Sequence, residues 1–137
     1  MSELMYDRDL WRIPGVNLTP NARLDSLSTM KSKSRAEILA EVQDPHGLFH
    51  LIKLCERKGY PLLMLGGGSN TIFATSMFEG VVVQLNSPVF QGMEAIKPNV
   101  IRVGAGSKLT GLLSYSRKVD MMGLEFCTMI PGTVGGA

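Results

Sequence analysis

Apolar positions recur with helical spacing most clearly in one stretch of the chain. Leu48, Leu51, Ile52 and Cys55 stand at i, i+3, i+4 and i+7, the repeat of one helix face. Asp44 is placed to cap that helix, Pro45 suits its first position, and Gly59 stops it. Upstream, Lys31, Lys33 and Arg35 alternate with small polar residues before Ile38, Leu39 and Val42, which predicts a strand, with a helix as the alternative its Ala and Glu residues allow, and a basic trio that forms a solvated face rather than a phosphate clamp. Downstream, Tyr60-Pro61-Leu62-Leu63-Met64-Leu65 has the length of a buried strand. Strand, helix, strand is the usual way to build a parallel pair.

The pattern then repeats with different punctuation. Gly80-Val81-Val82-Val83-Gln84-Leu85 is strongly β-prone, and Asn86-Ser87-Pro88 closes it with turn chemistry. A boundary is expected there, between an α/β subdomain over residues 1–86 and the first part of a second, α+β subdomain over residues 87–137. In the second part Asn99 to Val103 reads as a strand, Gly104-Ala105-Gly106 as a tight loop and Ser107 as a helix cap. Leu109, Leu112, Leu113 and Ser116 trace the inner face of that helix, which Gly123 ends. The first thirty residues, with Pro14, Gly15 and Pro20 and no sustained period, predict an irregular arm that tucks Trp11 and Ile13 onto a neighbour.

With 137 residues and 45% apolar side chains, the chain can form one modest domain, or a small domain and part of another. A net charge of +2 supplies no broad basic surface, which sets nucleic acid aside. Glu3, Asp7 and Asp9 occupy the place of a signal peptide's basic region, and no apolar run approaches a membrane span. The expectation is a cytoplasmic protein without a membrane partner. Cys55 and Cys127 read as buried thiols, His46 and His50 as surface histidines rather than half a zinc site, and Tyr115, Met121 and Met122 as packing residues.

The candidate chemistry lies in two glycine-rich stretches. Gly66-Gly67-Gly68-Ser69-Asn70 follows a strand directly. Without Cβ atoms its amides can approach a ligand closely and form an anion-binding nest, for which phosphate is the natural guest; the bland alternative is a plain turn between strands. A Walker loop is excluded because no lysine follows Gly68. A Rossmann loop is excluded because Thr71 to Gly80 is too short and too β-branched for the helix such a loop must open. The second stretch, Ile130-Pro131-Gly132-Thr133-Val134-Gly135-Gly136-Ala137, stands where the sequence ends. Backbone of that kind orders at an entropic cost without burying side chains, so a truncated second subdomain is expected.

These residues resemble, in order and spacing, the family of UDP-N-acetylenolpyruvoylglucosamine reductases. The resemblance is carried by Leu65 to Asn70, Phe78 to Val83, Val103 to Gly106, Gly123-Leu124-Glu125 and Ile130 to Ala137. Residues 1–59 match more loosely, chiefly through Thr29 before the basic strand and the helix after Pro45. The resemblance implies an α+β fold, the FAD-binding two-subdomain fold of the vanillyl-alcohol-oxidase type, with its second subdomain incomplete here. It implies that the amides of Gly66, Gly67, Gly68, Ser69 and Asn70 hold the FAD pyrophosphate, and that Ile130, Pro131, Gly132, Gly135 and Gly136 line the cofactor from the other side. It implies NADPH and UDP-N-acetylglucosamine enolpyruvate as partners in an NADPH-dependent reduction that serves peptidoglycan synthesis. The family's arginine, proton-donating serine and glutamate lie further along than the Gly135-Gly136-Ala137 stretch, so no catalytic residue is assigned and the chain alone is expected to be inactive. Glu125 reads as structural. The competing reading is a stand-alone flavin- or nucleotide-binding module without catalysis.

Overall fold

The computed structural model describes residues 3–31 and 33–137. Strand β1 (Val16–Arg23), strand β2 (Arg35–Val42), helix α1 (Pro45–Lys58), strand β3 (Leu62–Leu65) and strand β4 (Met77–Gln84) come first. They build a four-stranded sheet in the order β1-β2-β4-β3. β4 runs parallel to both β2 and β3, and β1 is antiparallel to β2. The expected β2-α1-β3 crossover is present, but β4 is inserted between its two strands. Val81, Val82 and Val83 are fully buried at that central position, which suits their unbroken β-branched run.

One sheet face packs Ile38, Ala40, Val42, Val81 and Val83 against Leu51, Leu54 and Cys55 of α1 and against Leu4 and Leu10. The other face packs Ala36, Val82 and Leu65 against Leu24, with Leu27 and Phe73 beside them. α1 starts where expected: the Asp44 carboxylate accepts a hydrogen bond from the Gly47 amide at 2.9 Å, Pro45 opens the helix and Gly59 closes it at φ 70°. Its inner face differs by one position, because Ile52 is 40% exposed while Leu54 is buried beneath the N-terminal segment.

Three other expectations are corrected. The first thirty residues are not an arm: two 3₁₀ turns (Glu3–Tyr6 and Leu10–Arg12) bury Leu4 and Leu10, and β1 pairs with β2 from Val16↔Val42 to Arg23↔Arg35. Only the edge position tolerates Pro20 in such a strand. Ile13 does pack against the core, whereas Trp11 stays exposed with its indole N–H donated to the Met5 carbonyl. β3 is not a buried strand but the other sheet edge, with Met64 exposed. The basic positions Lys31, Lys33 and Arg35 are exposed, as expected, although the strand begins only at Arg35.

Residues after β4 form a second sheet, in which strand β5 (Met93–Lys97) pairs antiparallel with strand β6 (Val100–Val103). Helix α2 (Leu109–Lys118) follows and buries Leu109, Leu112 and Ser116. Its N-cap is Lys108, without a side-chain cap bond, rather than Ser107. It ends at Lys118, well before Gly123, and Asp120 turns the chain at φ 53°. Met122 does not pack; it is 90% exposed. Among the described residues no helix is long and apolar enough to cross a membrane.

A buried carboxylate fastens the N-terminal segment to the end of α1. Asp7 accepts hydrogen bonds from the Tyr60 hydroxyl and the Asp9 amide, both at 2.9 Å, and Lys58 Nζ lies 3.3 Å away. Burial pushes the Asp7 carboxyl up, but these partners outweigh it and hold it below its ordinary 3.8. Burial and then Asp7 push the Tyr60 hydroxyl up to about 12. The linkage signs follow. The Asp7 contribution is fully present above pH 3.8 and is lost as pH falls through the lowered value. The Tyr60 contribution is present below its ordinary 10 and is lost as pH rises towards 12. Urea unfolding across pH is expected to show both losses. Tyr60→Phe is expected to cost about 1–2 kcal/mol at neutral pH and to shed the alkaline loss. A variant curve that tracks the wild type at every pH would remove the link from the account.

Candidate functional site

β3 and β4 end together, with Leu65 paired to Gln84, so residues 66–70 leave the sheet at the carboxyl ends of parallel strands. Ligands of open α/β sheets bind at such ends. Two contacts shape the loop from behind. Gly68 adopts φ 63° with its Cβ position occupied by the Leu27 carbonyl, and its own carbonyl accepts the Thr29 amide at 3.0 Å. Three more hold it in front. A Cβ on Gly67 would stand 3.1 Å from Gly132 Cα, and one on Gly66 would stand 2.5 Å from Thr133 Oγ1. The Ser69 hydroxyl donates to the Pro131 carbonyl at 2.8 Å.

The two glycine stretches therefore meet, although 59 residues, 71–129, separate them. The second is fixed by its own backbone: Lys108 and Thr133 form an antiparallel bridge, with the Leu109 amide donated to Gly132 and the Val134 amide to Ser107. The amides of Ile130, Gly135 and Gly136 are occupied by the Cys127, Ala105 and Thr133 carbonyls, and Pro131 has none to offer. By contrast, the amides of Gly66, Gly67, Gly68, Ser69 and Asn70 donate to no other described residue. An unpaired run of amides at a strand's carboxyl end is the donor set an anion requires.

Beside the loops runs a groove of about 580 Å³. It is lined by Gly66 and the ends of β3 and β4, by Gly106 to Lys108, and by Thr133, Gly135 and Gly136. Of the expected site residues, Gly66, Gly135 and Gly136 line this groove; Gly67, Ser69, Pro131 and Gly132 meet at the loop–loop junction, Gly68 is held from behind by Leu27 and Ser28, and Asn70 and Ile130 belong to the two stretches without lining the groove. Sequence reasoning named Thr29 and Thr133 only as motif positions and did not find Leu27 and Ser28, which back Gly68, or Lys108; the signal for Lys108 was the Gly104-Ala105-Gly106 turn that places it.

The remaining candidates have structural explanations. The Glu125 carboxylate accepts the Gly123 amide, and backbone hydrogen bonds from its own amide and from Gly123 hold it below its usual range. Cys55 and Cys127 are buried and unbridged, and burial pushes the Cys55 thiol up to about 11, which leaves it unreactive. His46 and His50 are exposed, and among the described residues no cluster of metal-ligating side chains occurs.

Free amides, a groove wide enough for a nucleotide and glycine positions where a side chain has no room together fit a phosphate-bearing dinucleotide. The fold and site define a nucleotide-cofactor domain. The FAD binding domain family profile matches residues 36–137, and the chain belongs to that family. FAD is the cofactor of the family, and the fold is its α+β FAD-binding fold.

The chain is similar to the N-terminal FAD-binding portion of UDP-N-acetylenolpyruvoylglucosamine reductases. It is 31% identical to that of Myxococcus xanthus over 90% of this chain and 40% of the relative. It is 37% identical to that of Sphingopyxis alaskensis over 87% of this chain and 39% of the relative. The crystal structure of the Thermus caldophilus enzyme superimposes with a TM-score of 0.64 at 25% identity, covering 89% of this chain and 40% of that one. The chain thus spans about 40% of the length of the relatives it matches.

Proposed function

We propose that this chain is the flavin-holding part of a UDP-N-acetylenolpyruvoylglucosamine reductase. The observation that carries the reading is the run of five unpaired amides, Gly66 to Asn70, facing a second glycine stretch in a chain of the FAD binding domain family. These amides hold the pyrophosphate, and Ile130, Pro131, Gly132, Gly135 and Gly136 line the cofactor with backbone rather than side chain. Ser69, whose hydroxyl already joins the two stretches, contributes its amide. The four-stranded sheet over residues 1–86 and the β5–β6 unit over 87–137 act as two subdomains that grip the cofactor between them.

When bound, FAD would supply the redox chemistry, carrying hydride from NADPH to the enolpyruvyl group of UDP-N-acetylglucosamine enolpyruvate, which with one proton gives UDP-N-acetylmuramate for peptidoglycan. The residues present bind and orient the cofactor; no group among them is placed to protonate or polarise the substrate. The soluble nucleotide substrates suit the cytoplasm. A full-length protein that carries this segment is expected to purify yellow and to oxidise NADPH only when the UDP-sugar is added. Flavin without sugar-dependent turnover would favour a non-catalytic flavin module instead, and turnover by the 137-residue chain alone would contradict the assignment of roles.

A further inference from the structure

α2 begins at the groove with an arrangement that opposes its own dipole. The N-terminus of a helix carries partial positive charge and prefers a side-chain acceptor at its cap. Here the cap is Lys108, with no side-chain cap bond. Among the described residues Lys108 is the only charged one lining the groove; it is exposed and makes no ion pair with another of them. The next amide is used, Leu109 donating to the Gly132 carbonyl, but those of Thr110 and Gly111 donate to no described residue. Gly111 also lines the groove.

A second, independent observation stands beside these. Ser107 lines the same groove, is 2% exposed, and its Oγ has no hydrogen-bond partner among the described residues. Buried hydroxyls are nearly always paired, so an orphan next to free amides and a free ammonium marks incomplete structure. No acidic side chain lines the groove to complete it from within.

We propose that the N-terminus of α2, with Lys108, Ser107 and the Thr110 and Gly111 amides, is a second anion subsite that takes a phosphate group across the groove from Gly66. The proposal deepens the flavin reading, since a ligand lying in the groove reaches both walls. Its phosphate can belong to FAD or to another nucleotide entering beside it; the chemistry recognised is the same. The lysine supplies long-range attraction that salt screens, and the amides supply direction.

The test is amide NMR of the whole chain, labelled with nitrogen-15 and titrated separately with inorganic pyrophosphate, FAD and riboflavin. Pyrophosphate is expected to shift the Thr110 and Gly111 amides saturably, riboflavin to leave them unmoved, and Lys108→Gln to weaken the pyrophosphate response about ten-fold. Lys108 is exposed, so this variant keeps its fold, which unperturbed amides elsewhere verify. If FAD produces the same shifts, the phosphate is the cofactor's; if only pyrophosphate does, another ligand supplies it, and the subsite stands in either case. Failure of FAD to bind at residues 66–70 while pyrophosphate still shifts α2 would sink the flavin reading alone. An α2 terminus unmoved by pyrophosphate and FAD alike, or a Lys108→Gln response equal to wild type, would overturn the subsite.

Discussion

Replacing Gly68 by alanine is expected to destabilise the chain by about 2–4 kcal/mol and to abolish FAD binding. Two costs combine. The residue sits at φ 63°, where a Cβ strains the backbone, and the space for that Cβ is already filled by the Leu27 carbonyl. The obstruction is main chain, so no rotamer change relieves it; residues 66–70 or residues 27–29 must move, and the bond from the Thr29 amide to the Gly68 carbonyl goes with them. Gly59 provides the control. It has a similar φ of 70° but nothing within 4 Å of its Cβ position, so Gly59→Ala isolates the conformational strain, about 1 kcal/mol, and leaves FAD affinity alone. Urea denaturation and flavin fluorescence on both variants check the pair. Equal costs would mean that the Leu27 contact does not shape the loop.

The second large effect is electrostatic. Gly67→Asp places a carboxylate among amides that await an anion. Two unit charges about 4 Å apart repel by about 4 kcal/mol at an effective dielectric of 20, so FAD affinity is expected to fall by at least about a hundred-fold. Crowding adds less, because the nearest atom, Gly132 Cα, would lie 3.1 Å from the new Cβ and can yield by a few tenths of an ångström. Gly67→Ala separates the two: it is expected to lose at most about ten-fold. The fold persists in both, since Gly67 is exposed, and far-ultraviolet circular dichroism verifies it. An aspartate variant that binds FAD like the alanine variant would take the anion away from this loop.

What could be read in advance depended on whether the deciding contacts were local. α1 was legible because Asp44, Pro45 and Gly59 each act within one turn of the helix. The α2 cap was not, because the Leu109 amide is satisfied by Gly132, a partner more than twenty residues along, so Ser107 was not needed as a cap. β1 escaped notice because Pro20 and Asn21, turn-forming residues, interrupt the alternation of Val16, Leu18 and Ala22, and only an edge strand tolerates them there. The insertion of β4 between β2 and β3 is likewise a tertiary fact: three buried valines announce a central strand but not its neighbours.

The same division holds at the site. The glycines of 66–68 announce a close backbone approach, yet what approaches from within the protein is Leu27 behind and Gly132 in front. The sequence does not say what the Ser69 hydroxyl does, and only the folded chain shows it bonded to Pro131. Lys108, an ordinary surface residue in the sequence, acquires meaning only through its position at a helix end that opens into the groove.

The central claim is that the free amides of residues 66–70 recognise the phosphates of FAD. Its most direct test is a titration of the chain with FAD and, separately, with riboflavin, which carries the same ring without phosphate, followed by flavin fluorescence. Saturable FAD binding at least about ten-fold tighter than riboflavin, the difference one charge-assisted contact makes, is the predicted result. Riboflavin bound as tightly as FAD would contradict the account.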